Sequence, residues 1–155
     1  MHTIQFLGAY WYNRPQTLTQ CVQQLAAFLV ALQQHNAQLY GNWFEKAPSK
    51  QAALLKPVQL DYSSVLQVFP KNAGEASLPE TSFRVGLWNG ARKEQEAIQL
   101  SVALGSRETK YFPNNCLIRL RESIAAQAFY AEKANIAELE HLLRRAWQPE
   151  WLVLQ

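Results

Sequence analysis

Phe83-Arg84-Val85-Gly86-Leu87-Trp88-Asn89-Gly90 alternates apolar side chains with small or polar ones, then ends in Asn-Gly. Successive side chains of a strand leave on opposite faces, so the run Phe-x-Val-x-Leu predicts a half-buried strand over 83–88. Asn-Gly tolerates positive φ and turns the chain. Trp88 therefore stands at the rim of a turn, as a rigid aromatic beside a polar loop. Such arrangements recur in binding surfaces. No cluster of acids, His or Cys lies nearby, so the stretch points to recognition more than to catalysis.

Working outward, Ile4 to Tyr12 is rich in β-branched and aromatic residues and predicts a first strand, broken at Asn13-Arg14-Pro15. Thr17 with Gln20 predicts a capping box. Leu18, Cys21, Val22, Leu25, Phe28, Leu29 and Leu32 then recur at spacings of three and four, the apolar stripe of a helix running to about Gln34. Leu39 to Phe44 predicts a short aromatic strand with a bulge at Gly41. Ser49 caps a short helix to Leu55, and Ser63 starts another to Phe69, each stopped by a proline. Lys71 to Thr81 and Ala91 to Glu96 are expected as loops. Ala97 to Leu104 and Asn115 to Leu120 are expected as strands. Asn135 with Glu138 opens a second long helix whose stripe is Ile136, Leu139, Leu142, Leu143 and Trp147, and Trp151 to Leu154 is a final strand. The order predicts an α+β single domain, mainly an antiparallel sheet with two principal amphipathic helices packed on it.

The chain has 155 residues with 48% hydrophobic content, enough for one domain with its own core. No apolar run approaches the ~18 residues of a membrane span, and the first residues lack a signal-peptide pattern, so a cytoplasmic location is expected. Net charge is +3 and the pI about 9.0. The basic residues are scattered in short groups such as Arg92-Lys93, Arg119/Arg121 and Arg144-Arg145, whereas nucleic-acid binders concentrate such charge in a patch. Cys21 and Cys116 form no Cys-x-x-Cys pair and are expected as buried, reduced thiols. His2, His35 and His141 lie in unrelated settings, and the glycines form neither a phosphate loop nor a dinucleotide fingerprint. No catalytic, cofactor or metal site is expected.

Five stretches in order carry a resemblance. They are Tyr10-Trp11 with Arg14-Pro15; Cys21 and its helix; Trp43-Phe44 with Lys46, Ser49 and Ala52; Val85-Gly86-Leu87-Trp88-Asn89-Gly90; and Ala146-Trp147-Gln148-Pro149-Glu150-Trp151. Together they resemble the immunity protein 52 family of bacterial polymorphic toxin systems. The resemblance implies a non-enzymatic cytoplasmic antidote that binds a toxin encoded beside it, without direct contact to nucleic acid or membrane. Such relatives accompany nuclease toxins of restriction-endonuclease fold, often delivered by type VI secretion. Gln148 and Glu150 stand where the family pattern has Asp. Family members continue past the last strand, so the resemblance implies one immunity-protein-like domain over 1–155, shortened at its C-terminal end.

A basic pI argues against wholesale imitation of nucleic acid. A cation entering a carboxylate-lined metal site of the toxin and binding away from that site both remain open. The contact candidates are Trp88 and Asn89 at the turn, Trp11 and Arg14 after the first strand, and Lys46 and Lys50 in a charged loop. All follow strand ends, so an antiparallel sheet is expected to gather them along one edge. Arg14 and Lys50 are expected as exposed charges of little weight in folding. The runner-up is a small basic nucleic-acid-binding domain.

Overall fold

The computed structural model describes residues 3–71 and 73–155. His2, and Asn72 of the expected 71–81 loop, lie outside the described residues. The strands are β1 (Phe6–Trp11), β2 (Trp43–Glu45), β3 (Pro57–Val58), β4 (Phe83–Trp88), β5 (Gln99–Leu104), β6 (Asn114–Arg119) and β7 (Trp151–Leu154). They form one antiparallel sheet in the order β3-β2-β4-β5-β6-β1-β7. The helices are α1 (Leu18–His35), α2 (Ala37–Tyr40), α3 (Lys50–Leu54), α4 (Tyr62–Leu66), α5 (Ile124–Tyr130) and α6 (Lys133–Trp147). The α+β single-sheet architecture is the one the sequence predicts.

The α1 stripe is buried along its whole length, from Leu18 to Leu32. At about 1.5–3 kcal/mol for each large apolar side chain, this helix is a principal source of core stability. Its capping box forms as expected: the Thr17 hydroxyl accepts from Gln20 N at 3.2 Å, and the Gln20 side chain accepts from Thr17 N at 2.8 Å. Leu139, Leu143 and Trp147 of α6 join the same core. Alternation divides each strand. Leu7, Ala9 and Trp11 of β1, Cys116 and Ile118 of β6, and Val85 and Leu87 of β4 face this core.

Local expectations fail in several places. The helix expected from Ser63 to Phe69 covers Tyr62–Leu66 and is capped by Asp61, whose Oδ1 accepts from Ser64 N at 2.8 Å. Leu39 and Tyr40 are helical, because Asn36 Oδ1 accepts from Leu39 N at 2.9 Å and caps one turn. Gly41 is the helical C-cap of that turn and makes no bulge. The last long helix starts two residues before Asn135, whose side chain donates to Phe129 O at 2.8 Å and binds α5 to α6. The helix α5 itself follows Ser123, whose hydroxyl accepts from Ala126 N at 3.1 Å.

Candidate functional site: the uncovered sheet face

One side of the sheet is packed by α1, α2, α4, α5 and α6. On the other side, among the described residues, only α3 lies down, at the β2–β4 end, where Ala53 meets Phe44, Ala47, Trp88 and Ala97. Strand pairing sets the rest of that second face in rows. Phe6, Arg119, Gln99, Trp88 and Phe44 make one row; Val153, Gly8, Leu117, Ser101 and Gly86 make the next; Trp151, Tyr10, Asn115, Ala103 and Arg84 make the third.

The middle row is low because two glycines sit in it. A Cβ on Gly8 would lie 2.7 Å from the Tyr10 ring, which folds over it. A Cβ on Gly86 would lie 3.1 Å from Lys46 Cδ, so the lysine stem rests on bare backbone. A trough of about 790 Å³ runs beside it, lined by Phe6, Tyr10, Gln99, Arg119, Arg121 and Val153 among others. A second cleft of about 240 Å³ holds Lys46, Lys50 and Trp88, and shares Gln99 and Arg121 with the trough. Arg119 lies over the Phe6 ring with Cζ 5.3 Å from its centroid, a cation–π contact. Arg121 pairs with Glu94 at 3.2 Å. Partial burial, then the charges of Arg119 and Arg121, hold the Lys46 amine below the usual lysine range.

The far end of the face is aromatic. Phe112 stacks on Tyr12 at 4.6 Å and tilts against Tyr10 at 5.4 Å. Tyr111 is 93% exposed and Trp151 60%. Tyr111 and Phe112 both have left-handed backbone, φ 66° and 46°. Non-glycine residues adopt that region at a cost, so surrounding structure must impose it. The base of the loop does so. Buried Asn114 accepts from Ser106 N at 2.8 Å and donates to Ser106 O at 3.0 Å, while Asn13 N donates to Glu108 O at 2.8 Å.

The six sequence-derived contact candidates divide into two groups at opposite ends of the sheet. Trp11 pairs with Asn114 at one end of β6; Trp88 pairs with Gln99, which pairs with Arg119 at the other. That separation is about 17 Å along the strand, so no single edge gathers them. Trp11 is 0% exposed and stacks on Trp147, with centroids 5.5 Å apart. It has no surface to offer a partner. Arg14 donates to Trp147 O and, at 2.8 Å, to Gln148 O. It satisfies the free carbonyls at the α6 C-terminus, where a cation also suits the helix dipole. Trp88 is 7% exposed, under α3. Asn89 accepts from Ile98 N at 3.0 Å and donates to Glu96 O at 3.2 Å, pinning the loop that follows. Lys46 and Lys50 alone among the six are exposed and stand together. The sequence reading missed Tyr111, Trp151 and Arg119. Arg119 was legible as an outward position in the alternation of β6; Tyr111 carried no signal beyond its aromatic character.

On the helical side, a groove of about 470 Å³ opens between α1 and α6. Below it runs the nearest approach to a catalytic chain. His35 Nδ1 is 2.8 Å from Glu138, His35 Nε2 is 3.0 Å from the Tyr130 hydroxyl, and that hydroxyl is 2.6 Å from Tyr40. Burial pushes both phenols up, so both stay protonated near neutrality. The chain is a polar clamp holding α1, α2, α5 and α6 together. Burial likewise pushes the Cys21 thiol up to about 12 and Cys116 higher still, which leaves both thiols inert. Among the described residues no group of three His, Cys, Asp or Glu side chains is placed to hold a metal ion. Among the same residues, no helix is long and apolar enough to cross a membrane.

No curated protein matches the sequence. The family model for immunity protein 52 matches residues 3–155, essentially the whole chain, and the chain belongs to the immunity protein 52 family.

Proposed function

We propose that this immunity protein acts without catalysis, in the cytoplasm, by seating a cognate nuclease toxin of restriction-endonuclease fold, delivered by type VI secretion, on its uncovered sheet face. Family membership supports an immunity role with a toxin protein as partner. The nuclease and its delivery rest on the resemblance given above. The observation that carries the contact surface is a sheet face left open by the helices and furnished with Trp151, Tyr111, Lys46 and Arg119. Tyr, Trp and Arg dominate interface energetics, and a loop fixed at its base loses little entropy on binding. In this reading Lys46 and Lys50 are contact residues. Trp11, Arg14, Trp88 and Asn89 support the surface from within.

The test is co-expression with the toxin domain encoded beside this gene. Wild-type protein should protect cells and co-purify with the toxin. Trp151→Ala should fold and protect poorly. Full protection by folded Trp151→Ala and Tyr111→Gly variants removes this face from the contact.

One observation favours the runner-up. An open antiparallel face with Tyr10, Phe6 and Arg119 is also the layout on which single-stranded bases stack. Micromolar binding of oligo-dT or oligo-U by the purified protein, with no toxin captured, would support it. Tyr10 and Phe6 are already covered, by Gly8 backbone and by Arg119, which weighs against free stacking platforms.

A further inference from the structure

The two joined clefts hold several cations, of which Arg121 alone has a carboxylate partner among the described residues. Lys46, Arg119 and Arg121 converge around Gln99 from the residue after β2, from β6 and from the turn after β6. Among the described residues no carboxylate lies within 4.0 Å of Lys46 or Arg119; the Arg121–Glu94 pair is the ion pair of this cluster. Like charges gathered beside low-dielectric walls repel, and the Lys46 amine is lowered first by partial burial and then by Arg119 and Arg121. The fold nonetheless holds them there. Gly86 gives the Lys46 stem its bed, and Phe6 gives Arg119 a ring to lie on.

We propose that this cation cluster receives carboxylate side chains of the toxin, so that an acidic patch on the partner docks at the Lys46–Arg119–Arg121 end of the face. The proposal rests on the reading of the open face as the toxin-contact surface and specifies the chemistry of what it meets. Carboxylates match the cluster in chemistry: Arg119 and Arg121 supply planar forks, and Lys46 a point charge. A nucleic-acid strand matches it less well. Beyond the cluster, the rows run into Leu117, Val153, Tyr10 and Trp151, which are apolar or neutral, with Arg84 as the one further cation in them among the described residues. Exposed Glu94 stands at the cleft rim. Nucleic-acid interfaces are far more positive throughout, whereas an apolar centre with a charged margin is the anatomy of a protein–protein interface.

The experiment measures binding of the purified protein to the toxin domain encoded beside its gene, with folding monitored by near-UV circular dichroism. Lys46→Glu and Arg119→Glu should fold and bind the toxin at least about tenfold more weakly each. Lys133→Glu, the same charge change on the helical side, should bind as wild type. The wild-type association rate should fall with rising salt, and Arg119→Glu should flatten that dependence. Reversing acidic residues of the toxin to Arg should restore binding to Arg119→Glu. If the two cation variants bind as wild type while Trp151→Ala weakens binding, the carboxylate proposal is wrong and the face reading stands. If none of the three weakens binding, both are wrong. Loss of oligo-dT binding by Arg119→Glu with unchanged toxin affinity would also overturn the proposal and assign the cluster to nucleic acid.

Discussion

Arg14 shows how far a side chain's role depends on where its neighbours fold. It reads in the sequence as a free cation after a strand, yet its guanidinium closes the end of α6 across more than a hundred residues of chain. Arg14→Ala should therefore lower stability by about 1–2 kcal/mol through the lost charge-assisted bonds, measured by urea unfolding, with toxin affinity nearly unchanged in the folded protein. An unchanged midpoint would show that water replaces the contact. Gly90 has φ +80°, and a Cβ there would lie 2.4 Å from the Phe44 ring. Gly90→Ala should disrupt the packing of Phe44 on Trp88, seen as a lower melting temperature and increased Trp fluorescence exposure. Trp11→Ala removes a fully buried indole stacked on Trp147 and should cost about 3–5 kcal/mol. Its effect on protection would then follow loss of folding.

At the scale of elements, the 106–113 loop holds the clearest separation of stability from function. Tyr111 is almost wholly exposed, so its side chain contributes little to the fold, while its backbone is strained. Glycine adopts the same φ without that strain. Tyr111→Gly should keep or raise the melting temperature and weaken toxin binding. A variant with lower stability and full affinity would show the loop to be a structural strap. The α1–α6 clamp makes the opposite case. Tyr130→Phe removes the hydroxyl shared by His35 and Tyr40 and leaves two buried partners short of a bond. It should destabilise by about 1–3 kcal/mol without altering the open face, which lies across the sheet.

For the molecule as a whole, burial ties stability to pH on the alkaline side. Cys21 and Cys116 keep their protons in the fold well above the ordinary thiol value of 9.0, and Tyr40 and Tyr130 above the ordinary phenol value of 10.0. In that range the unfolded chain has released protons that the native chain still holds, so stability falls as pH rises. The melting temperature should hold up to about pH 9 and decline beyond it, as thiols and then phenols ionise on unfolding. The same burial predicts that a thiol reagent leaves both cysteines unmodified in native protein at mild pH and labels both in guanidinium. Rapid native labelling would place Cys21 or Cys116 in a part of the molecule that opens locally.

The sequence by itself determined the elements with long, regular patterns. The α1 stripe, its Thr17–Gln20 cap, the β4 alternation, the α6 stripe and the α+β class were all legible, because period and capping chemistry are local properties. Short elements were not. Leu39-Tyr40 and Ile124–Tyr130 became helical through single caps and through packing on α1 and α6, and a few residues of pattern cannot outweigh such contacts. The candidate site was least legible. Alternation told that each strand has two faces, but only the placement of the helices decided that the Trp11 row is core and the Tyr10 row is open. Long-range pairing then sent Trp11 and Trp88 to opposite ends of the sheet, and brought Lys46, just after β2, to Arg119 and Arg121 at the end of β6. A surface is the remainder after the core has formed, so its composition is fixed by every tertiary contact and by no single stretch of chain.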